Sequence, residues 1–215
     1  WQYLYQHAEP INNIHISDRG HYGKARLYAK QQQVDALGYV AEMSVIGAAL
    51  LKALATKNNI TWFAPDRIEN VQWQREQVNV ELSTSRDYQQ SALIANVATA
   101  HHHNNIAYER FTETGPIAML PLSPAPNSNK QSAGRCSLVW TLTPELAEKM
   151  LNLSDDEFAE QLAQSFGHWL GKITHVGKRV IYPLKLVQAS EQVYHRMALI
   201  GNASHTIHPI AGQGF

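Results

Sequence analysis

The last fifteen residues, 201–215, constrain the fold most, because an apolar run leads directly into a glycine-bounded polar loop. Residues 197–200 predict a buried strand, and Gly201 and Asn202 stand where that strand would end. The segment 212–214 then offers bare backbone N–H groups at the place where a helix would begin. A strand end without a Cβ at Gly201 allows a ligand to approach the backbone closely, and the N–H groups of 212–214 suit partial negative charge on that ligand.

Length and composition indicate a globular chain. The 215 residues suffice for one large core or two small ones, with 44% hydrophobic and 17% charged residues. A formal net charge of zero gives a nucleic-acid partner no electrostatic support. The single cysteine, Cys136, excludes a disulfide within the chain and favours a reducing compartment. Because no apolar run approaches the roughly 20 residues of a membrane span, we expect a cytoplasmic protein.

Periodicity predicts a mixed α/β chain whose central strands pair in an antiparallel sheet. Residues 38–56 predict a helix whose apolar face packs into the core. Ser154 and Glu157 have the spacing of a capping box, which predicts a second helix up to about Phe166, with Gly167 at its end.

Alternating and apolar runs predict the strands. Strands are expected at 14–17, 62–63, 78–82, 93–98, 136–142 and 173–182, with a break at Pro183. Residues 108–111 and 117–122 predict a hairpin, and the segment 123–134, rich in Ser, Pro and Asn, predicts an exposed loop.

The carboxy-terminal segment also resembles a known motif. Its ordered residues are Gly201, Asn202, Ala203, Ser204, His205, Pro209, Gly212, Gln213 and Gly214. This order resembles the second flavin motif of the class A flavoprotein aromatic monooxygenases, and most of all that of the bacterial ubiquinone-biosynthesis hydroxylases. Further stretches are similar to the same hydroxylases and occur in the same order, namely 17–23, 37–40, 110–111, 115–122 and 136–140.

The resemblance implies a fold and a domain organisation. The expected architecture is an incomplete FAD-binding Rossmann-like domain with an antiparallel-sheet substrate domain. Residues 1–85 would be the remainder of the FAD-binding domain with part of the substrate domain. Residues 86–185 would form the substrate domain, and 186–215 would return to a truncated FAD-binding domain.

Two motifs of the family are missing from the sequence. Neither the Gly-x-Gly-x-x-Gly turn that binds the ADP half of FAD nor an Asp-Gly dipeptide occurs. We therefore expect a fragment of a longer protein, with a splice near Ser85 and Arg86, which is inactive as it stands. The alternative is a non-catalytic binding module that keeps the substrate-domain sheet and lacks the flavin.

The resemblance also implies chemistry and site residues. The reaction would be hydroxylation of a prenylated phenol with FAD as cofactor and with NAD(P)H and O₂. The residues implied to contact the flavin are Gly201, Asn202, Pro209, Gly212, Gln213 and Gly214. Those implied to face the substrate are Met119, Leu120, Pro121 and His208. No residue is assigned as catalytic acid or base. A ubiquinone-biosynthesis protein complex and contact with the inner face of the membrane are expected through the lipid-like substrate.

Several other residues could have either a structural or a functional role. His101, His102 and His103 favour a solvated loop over a metal site, because three consecutive side chains cannot converge on one ion. Arg110 could contact the flavin or substrate, or form a structural ion pair. Cys136 and Trp140 are expected to pack in the core. A hydrolase is disfavoured, because the sequence has no Gly-x-Ser-x-Gly elbow.

Overall fold

The computed structural model of the chain describes residues 1–60, 85–124, 134–188, 192–194, 197–199 and 205–206. The chain divides into two compact units. The first unit consists of Trp1–Asn58 and Ser91–Tyr182, and the second of Asn59–Gln90 and Pro183–Phe215. The domain boundaries expected from the sequence, after residues 85 and 185, stay a prediction.

The first unit consists of strands with helices between some of them. Its strands are β1 (Glu9–Ile11), β2 (Asn13–Asp18), β3 (Lys24–Tyr28), β4 (Gly38–Val40), β5 (Ser85–Thr99), β6 (Ile106–Thr112), β7 (Gly115–Leu122), β8 (Gly134–Leu142) and β9 (Ile173–Val176). Its helices are a short 3₁₀ turn (Tyr5–His7), α1 (Met43–Leu54), α2 (Pro144–Asn152) and α3 (Asp155–Phe166). Strand β5 begins in the second unit. The mixed α/β class predicted from the sequence is confirmed.

A twisted sheet organises the first unit, with strands in the order β3-β2-β6-β7-β8-β5 and β9 also paired with β5. All of these pairs are antiparallel except β2 with β6, which is parallel. The predicted hairpin is confirmed as β6 and β7, with Tyr108 opposite Met119 and Thr112 opposite Gly115. The antiparallel pairing expected for the middle of the chain is therefore also confirmed.

One hydrophobic core lies between the sheet and the helices α2 and α3. Burial alternates along β8, so that Cys136, Leu138 and Trp140 face the core. Phe158 and Leu162 of α3 are fully buried against the same face. Burial of such side chains stabilises the fold by roughly 1.5–3 kcal/mol each. The core positions predicted for Cys136 and Trp140 are confirmed.

Local sequence signals set the ends of α2 and α3. The hydroxyl of Thr143 accepts a hydrogen bond from the backbone N–H of Leu146, at the start of α2. The predicted capping box of α3 is confirmed, because Ser154 and Glu157 bond each other's backbone N–H groups. Gly167 ends α3 as predicted, with a φ of +97° that a residue with a Cβ rarely adopts.

The helix predicted over 38–56 is shorter than expected, and its apolar face is not part of the core. Residues 38–40 form β4, which pairs with β1 and so leaves the helix to begin at Met43. No residue of α1 is buried, and Met43, Leu50 and Leu51 are exposed. An amphipathic pattern identifies the apolar face of a helix, but it does not determine what lies against that face.

The second unit contains short described strands. They are β10 (Val180–Gln188), which begins in the first unit, β11 (Val193–Tyr194), β12 (Met197–Ala198) and β13 (His205–Thr206). β10 pairs with β13 and β11 pairs with β12, both antiparallel.

Four predictions about strands need correction or fall outside the described residues. The break predicted at Pro183 is wrong, since Pro183 lies inside β10, where a position whose N–H is not needed for the ladder can tolerate proline. The described part of the strand predicted at 197–200 is not buried as expected, because β12 has only two residues and its Ala198 is exposed. The strands predicted at 62–63 and 78–82 lie outside the described residues.

No helix in the described part of the chain is both long and apolar enough to cross a membrane.

Candidate functional site

The sheet of the first unit has two unlike faces. The covered face carries the core side chains that meet α2 and α3, and these side chains are almost fully buried. The open face carries half-buried side chains on the other side of the same strands. The residues of the open face are Ile14, Ile16, Ile94, Asn96, Glu109, Ala118, Leu120, Ser137 and Val139.

Strand register brings the side chains of the open face into rows. Ile94 lies opposite Val139, which lies opposite Ala118, and Ala118 lies opposite Glu109. Glu109 in turn lies opposite Ile16 of β2. Neighbouring strands in a sheet are about 4.8 Å apart, so this row is a continuous, mostly apolar strip that contains one carboxyl group.

Glu109 is the titratable group of this row. Burial raises the pKa of its carboxyl above the ordinary value. A carboxyl with a raised pKa on an apolar surface can donate or accept a proton closer to neutral pH than an exposed glutamate can. Glu109 was not among the residues predicted for the site, and its neighbour Arg110 shows that a charge in β6 does not by itself mark a site.

One end of the open face is held by polar contacts to the small sheet formed by β1 and β4. Arg135 of β8 forms an ion pair of 2.6 Å with Glu42, directly after β4, and donates to the carbonyl of Ser123. The carboxylate of Glu9 in β1 accepts from the Ser123 hydroxyl and from the Asn105 amide. These contacts fix the loops at this end of the sheet.

The predicted substrate residues are divided between the two faces. Leu120 lies on the open face and is half-buried. Met119 lies opposite Leu138 on the covered face and is fully buried in the core. Pro121 is opposite Cys136 and is buried. Substrate contact by these three residues stays a prediction, and Leu120 is the one of the three whose side chain is only half-buried.

The predicted flavin contacts lie outside the described residues. This applies to Gly201, Asn202, Pro209, Gly212, Gln213 and Gly214, and also to His208. Of the motif, the structure describes only His205 and Thr206, whose backbone pairs with Gln188 and Val187. The roles of the motif residues therefore stay predictions.

The structural ion pair predicted as one alternative for Arg110 is absent from the described residues, and contact with flavin or substrate stays a prediction. Its guanidinium donates to the carbonyl of Phe166 at 2.9 Å and lies 5.2 Å from the ring centre of Trp169. A cation at the C-terminal end of a helix stabilises the unpaired carbonyls there. Arg110 thus fastens the end of α3 to β6.

The three consecutive histidines differ in their burial. Among the described residues, no group of three or more His, Cys, Asp or Glu side chains is arranged to hold a metal ion. His101 and His102 are exposed, as predicted for a solvated loop. His103 corrects that prediction, since it is 2% exposed and its ring bonds the Leu122 carbonyl and the Asn105 N–H.

Comparison with solved structures identifies the class of fold. The chain superposes on the crystal structure of PqsL, a probable FAD-dependent monooxygenase from Pseudomonas aeruginosa, with a TM-score of 0.73 and 15% identity. The match covers 99% of this chain and 66% of that chain. The fold is therefore that of the FAD-dependent monooxygenases. No protein-family model matches the chain.

Sequence comparison narrows the class. The chain is 29% identical to the ubiquinone hydroxylase UbiL of Rhodospirillum rubrum, over 100% of this chain and 54% of that protein. It is 27% identical to the mitochondrial ubiquinone biosynthesis monooxygenase of Danio rerio, over 87% of this chain and 51% of that protein. The chain thus spans about half the length of these relatives. The resemblance to the class A flavin-dependent monooxygenases of ubiquinone biosynthesis is confirmed.

Proposed function

We propose that the chain is part of a flavin-dependent monooxygenase that hydroxylates a prenylated phenol in ubiquinone biosynthesis, with NAD(P)H and O₂. The observation that carries the proposal is the similarity to a ubiquinone hydroxylase across the whole chain. The motif at 201–214 supports it from the sequence, and the fold shared with FAD-dependent monooxygenases supports it from the structure.

The open face supplies the substrate wall in this proposal. Leu120, Ala118 and Val139 form an apolar surface suited to an aromatic ring that carries an isoprenoid tail, as in 2-octaprenyl-6-methoxyphenol. The carboxyl of Glu109 is placed in the same row, where it can hydrogen-bond a ring hydroxyl. The lipid-like substrate would bring the protein to the membrane surface.

The carboxy-terminal motif supplies the flavin contacts in this proposal. Gly201, Asn202 and Pro209, with the backbone of 212–214, would hold the flavin of FAD. Bound FAD supplies the activation of O₂, which protein side chains cannot perform. The residues of the chain bind and orient the phenol and exclude water from it.

Flavin binding is the first test. The protein is expressed from its complete reading frame, supplied with FAD and freed of unbound flavin by gel filtration. We expect flavin absorbance to co-elute with the protein, and a Gly214→Val variant to lose it, because a side chain there would fill the approach to the backbone. A Gly23→Val variant, at a position with open space around it, serves as the control. A flavin-free protein would instead support the non-catalytic binding module.

Hydroxylation is the second test. Holoenzyme, NADPH and a prenylated phenol are incubated, and the products are analysed by mass spectrometry for the addition of one oxygen atom. A Leu120→Arg variant should lose turnover by about a hundredfold or more, since it places a charge on the apolar wall. Val34→Arg, at an exposed apolar residue, should retain turnover. Equal activity of the two variants would show that the open face is not part of the substrate site, even if flavin binds.

A further inference from the structure

The first unit also contains a cleft, which lies on the same side of the sheet as α3. A hollow of about 290 Å³ is bordered by His15, Arg26, Tyr108 and Trp169, among others. An adjoining hollow of about 320 Å³ is bordered by Ser17 and Arg110, among others. Lys24 and Trp169 border both hollows. We call the two together the basic cleft.

The basic cleft lies on the opposite side of the sheet from the open face. His15 is opposite Tyr108 in the strand register, and Tyr108 is opposite the core residue Met119. The neighbouring residues Ile16 and Glu109 belong to the open face instead. Successive side chains of a strand point to opposite faces, so a ligand in the basic cleft would be separated from the open face by the sheet.

Two buried polar groups at the basic cleft have no partner among the residues that the structure describes. His15 is 8% exposed and Ser17 is 5% exposed, yet His15 Nε2 and Ser17 Oγ accept and donate no hydrogen bond there. An unpaired buried polar group costs about 1–3 kcal/mol. Native proteins rarely retain two such groups side by side unless water or a ligand satisfies them.

The hydrogen bond to Arg26 determines the chemistry of His15. Arg26 Nε–H donates to His15 Nδ1 at 3.2 Å, so Nδ1 is the acceptor and the proton of the neutral ring is on Nε2. Burial lowers the pKa of His15, and the positive charges of Arg26 and Lys24 lower it further, which keeps the ring neutral. The free Nε2–H is therefore a donor that requires an acceptor.

The other polar groups of the basic cleft are also mainly donors. Lys24, Arg26 and Arg110 bring positive charge, and Arg110 Nε is a further buried donor without a partner in the described part of the chain. Asp18 is the carboxylate on the border, and it pairs with His21 at 2.8 Å. A site with several free donors and net positive charge is complementary to an oxyanion.

We propose that the basic cleft binds an oxyanion, either a carboxylate or a phosphate group of a small ligand. His15 Nε2–H and the Ser17 hydroxyl donate to the oxygens of the anion, and Lys24 and Arg26 neutralise its charge. Trp169, which His15 contacts edge-on at 5.0 Å, forms the apolar wall beside the anion. This proposal is independent of flavin binding and of the hydroxylation reaction.

Titration of the full chain with two probes tests the proposal. Inorganic phosphate and benzoate are each added at constant ionic strength, with chloride as the reference, and binding is followed by calorimetry and by the imidazole NMR signals of His15. Saturable binding that shifts the His15 signals is expected for at least one probe. Binding of benzoate alone would assign a carboxylate ligand, and binding of phosphate alone a phosphoryl ligand. No saturable binding of either probe would overturn the proposal.

Variants distinguish a specific binding site from the general attraction of anions to positive charge. His15→Phe keeps the ring against Trp169 and removes the donor, and Arg26→Met removes a cation from the exposed strand β3, where unfolding is not expected. Each should weaken binding about tenfold or more, because the first variant loses a hydrogen bond to the anion and the second loses a neutralising charge. Lys149→Met removes the same charge from the exposed side of α2 and should leave binding unchanged. An equal loss in all three variants would show nonspecific attraction and overturn the proposal.

Discussion

The two faces of the central sheet are made by the same strands, yet α2 and α3 pack against only one of them. On the covered face, Leu138 and Trp140 meet two helices and are almost completely buried. On the open face, Ser137 and Val139, which are their neighbours in sequence, remain half-buried. One β-strand thus places one set of side chains in the core and leaves the alternate set half-buried, and in the proposed function this second set forms the substrate wall.

The largest expected effect is the difference in the stability that the protein loses when a side chain is shortened on one face or on the other. Phe158→Ala removes a fully buried ring that contacts Trp140, and it should lower the free energy of unfolding by about 3–5 kcal/mol. Leu120→Ala on the open face should cost about 1 kcal/mol or less, because its side chain is already partly solvated. Urea unfolding followed by circular dichroism measures both. Similar losses for the two variants would mean that the open face is packed as tightly as the core.

The next effect concerns the thiol on the covered face. Burial raises the pKa of Cys136 from 9.0 to about 12, so the thiolate fraction at pH 8 should be roughly a thousandfold lower than in the unfolded chain. A thiol-specific chromogenic disulfide should therefore react very slowly with the native protein and rapidly in concentrated urea. Rapid reaction of the native protein would show that the covered face opens frequently.

The smallest effect concerns the carboxyl on the open face. Because burial raises the pKa of Glu109 in the folded state, its contribution to stability is fully present below the unfolded pKa and is lost as the pH rises through the folded pKa. Above the folded-state pKa of Glu109, the Glu109→Gln variant should therefore be more stable than the parent protein. The free energy of unfolding of the variant should also depend less on pH. Urea midpoints between pH 4 and 8, an interval chosen to bracket the ordinary carboxyl pKa of about 4.3, measure the difference. A parent protein that gains stability over this range relative to Glu109→Gln would contradict the assignment.

Local signals were sufficient to predict much of the secondary structure. The capping box of Ser154 and Glu157 and the turn at Gly167 are set by groups a few residues apart, so the sequence alone predicts both ends of α3. The hairpin of β6 and β7 was predictable for the same reason, since its strands are adjacent in the chain. The error at residues 38–40 arose where a distant partner, β1, overrode the helical pattern.

The two candidate sites differ in the same way, because one consists of residues close together in the chain and the other of residues that meet only in the fold. The flavin motif at 201–214 is contiguous, and its resemblance could be found without coordinates. The basic cleft could not be predicted, because His15, Arg26 and Trp169 come from three separated segments. Nothing in the sequence shows that Arg26 donates to His15, or that the Nε2 atom of the same ring has no partner in the described structure.

The sequence by itself determined the mixed α/β class, the ends of α3, the apolar alternation of the strands and the family resemblance. These properties depend on residues close together in the chain or on an ordered motif. Only the tertiary structure decided which face of the sheet packs against α2 and α3, where Glu109 lies and that α1 leaves its apolar side exposed. The physical reason is that burial depends on which segments meet in space, and alternation along one strand does not specify its partners.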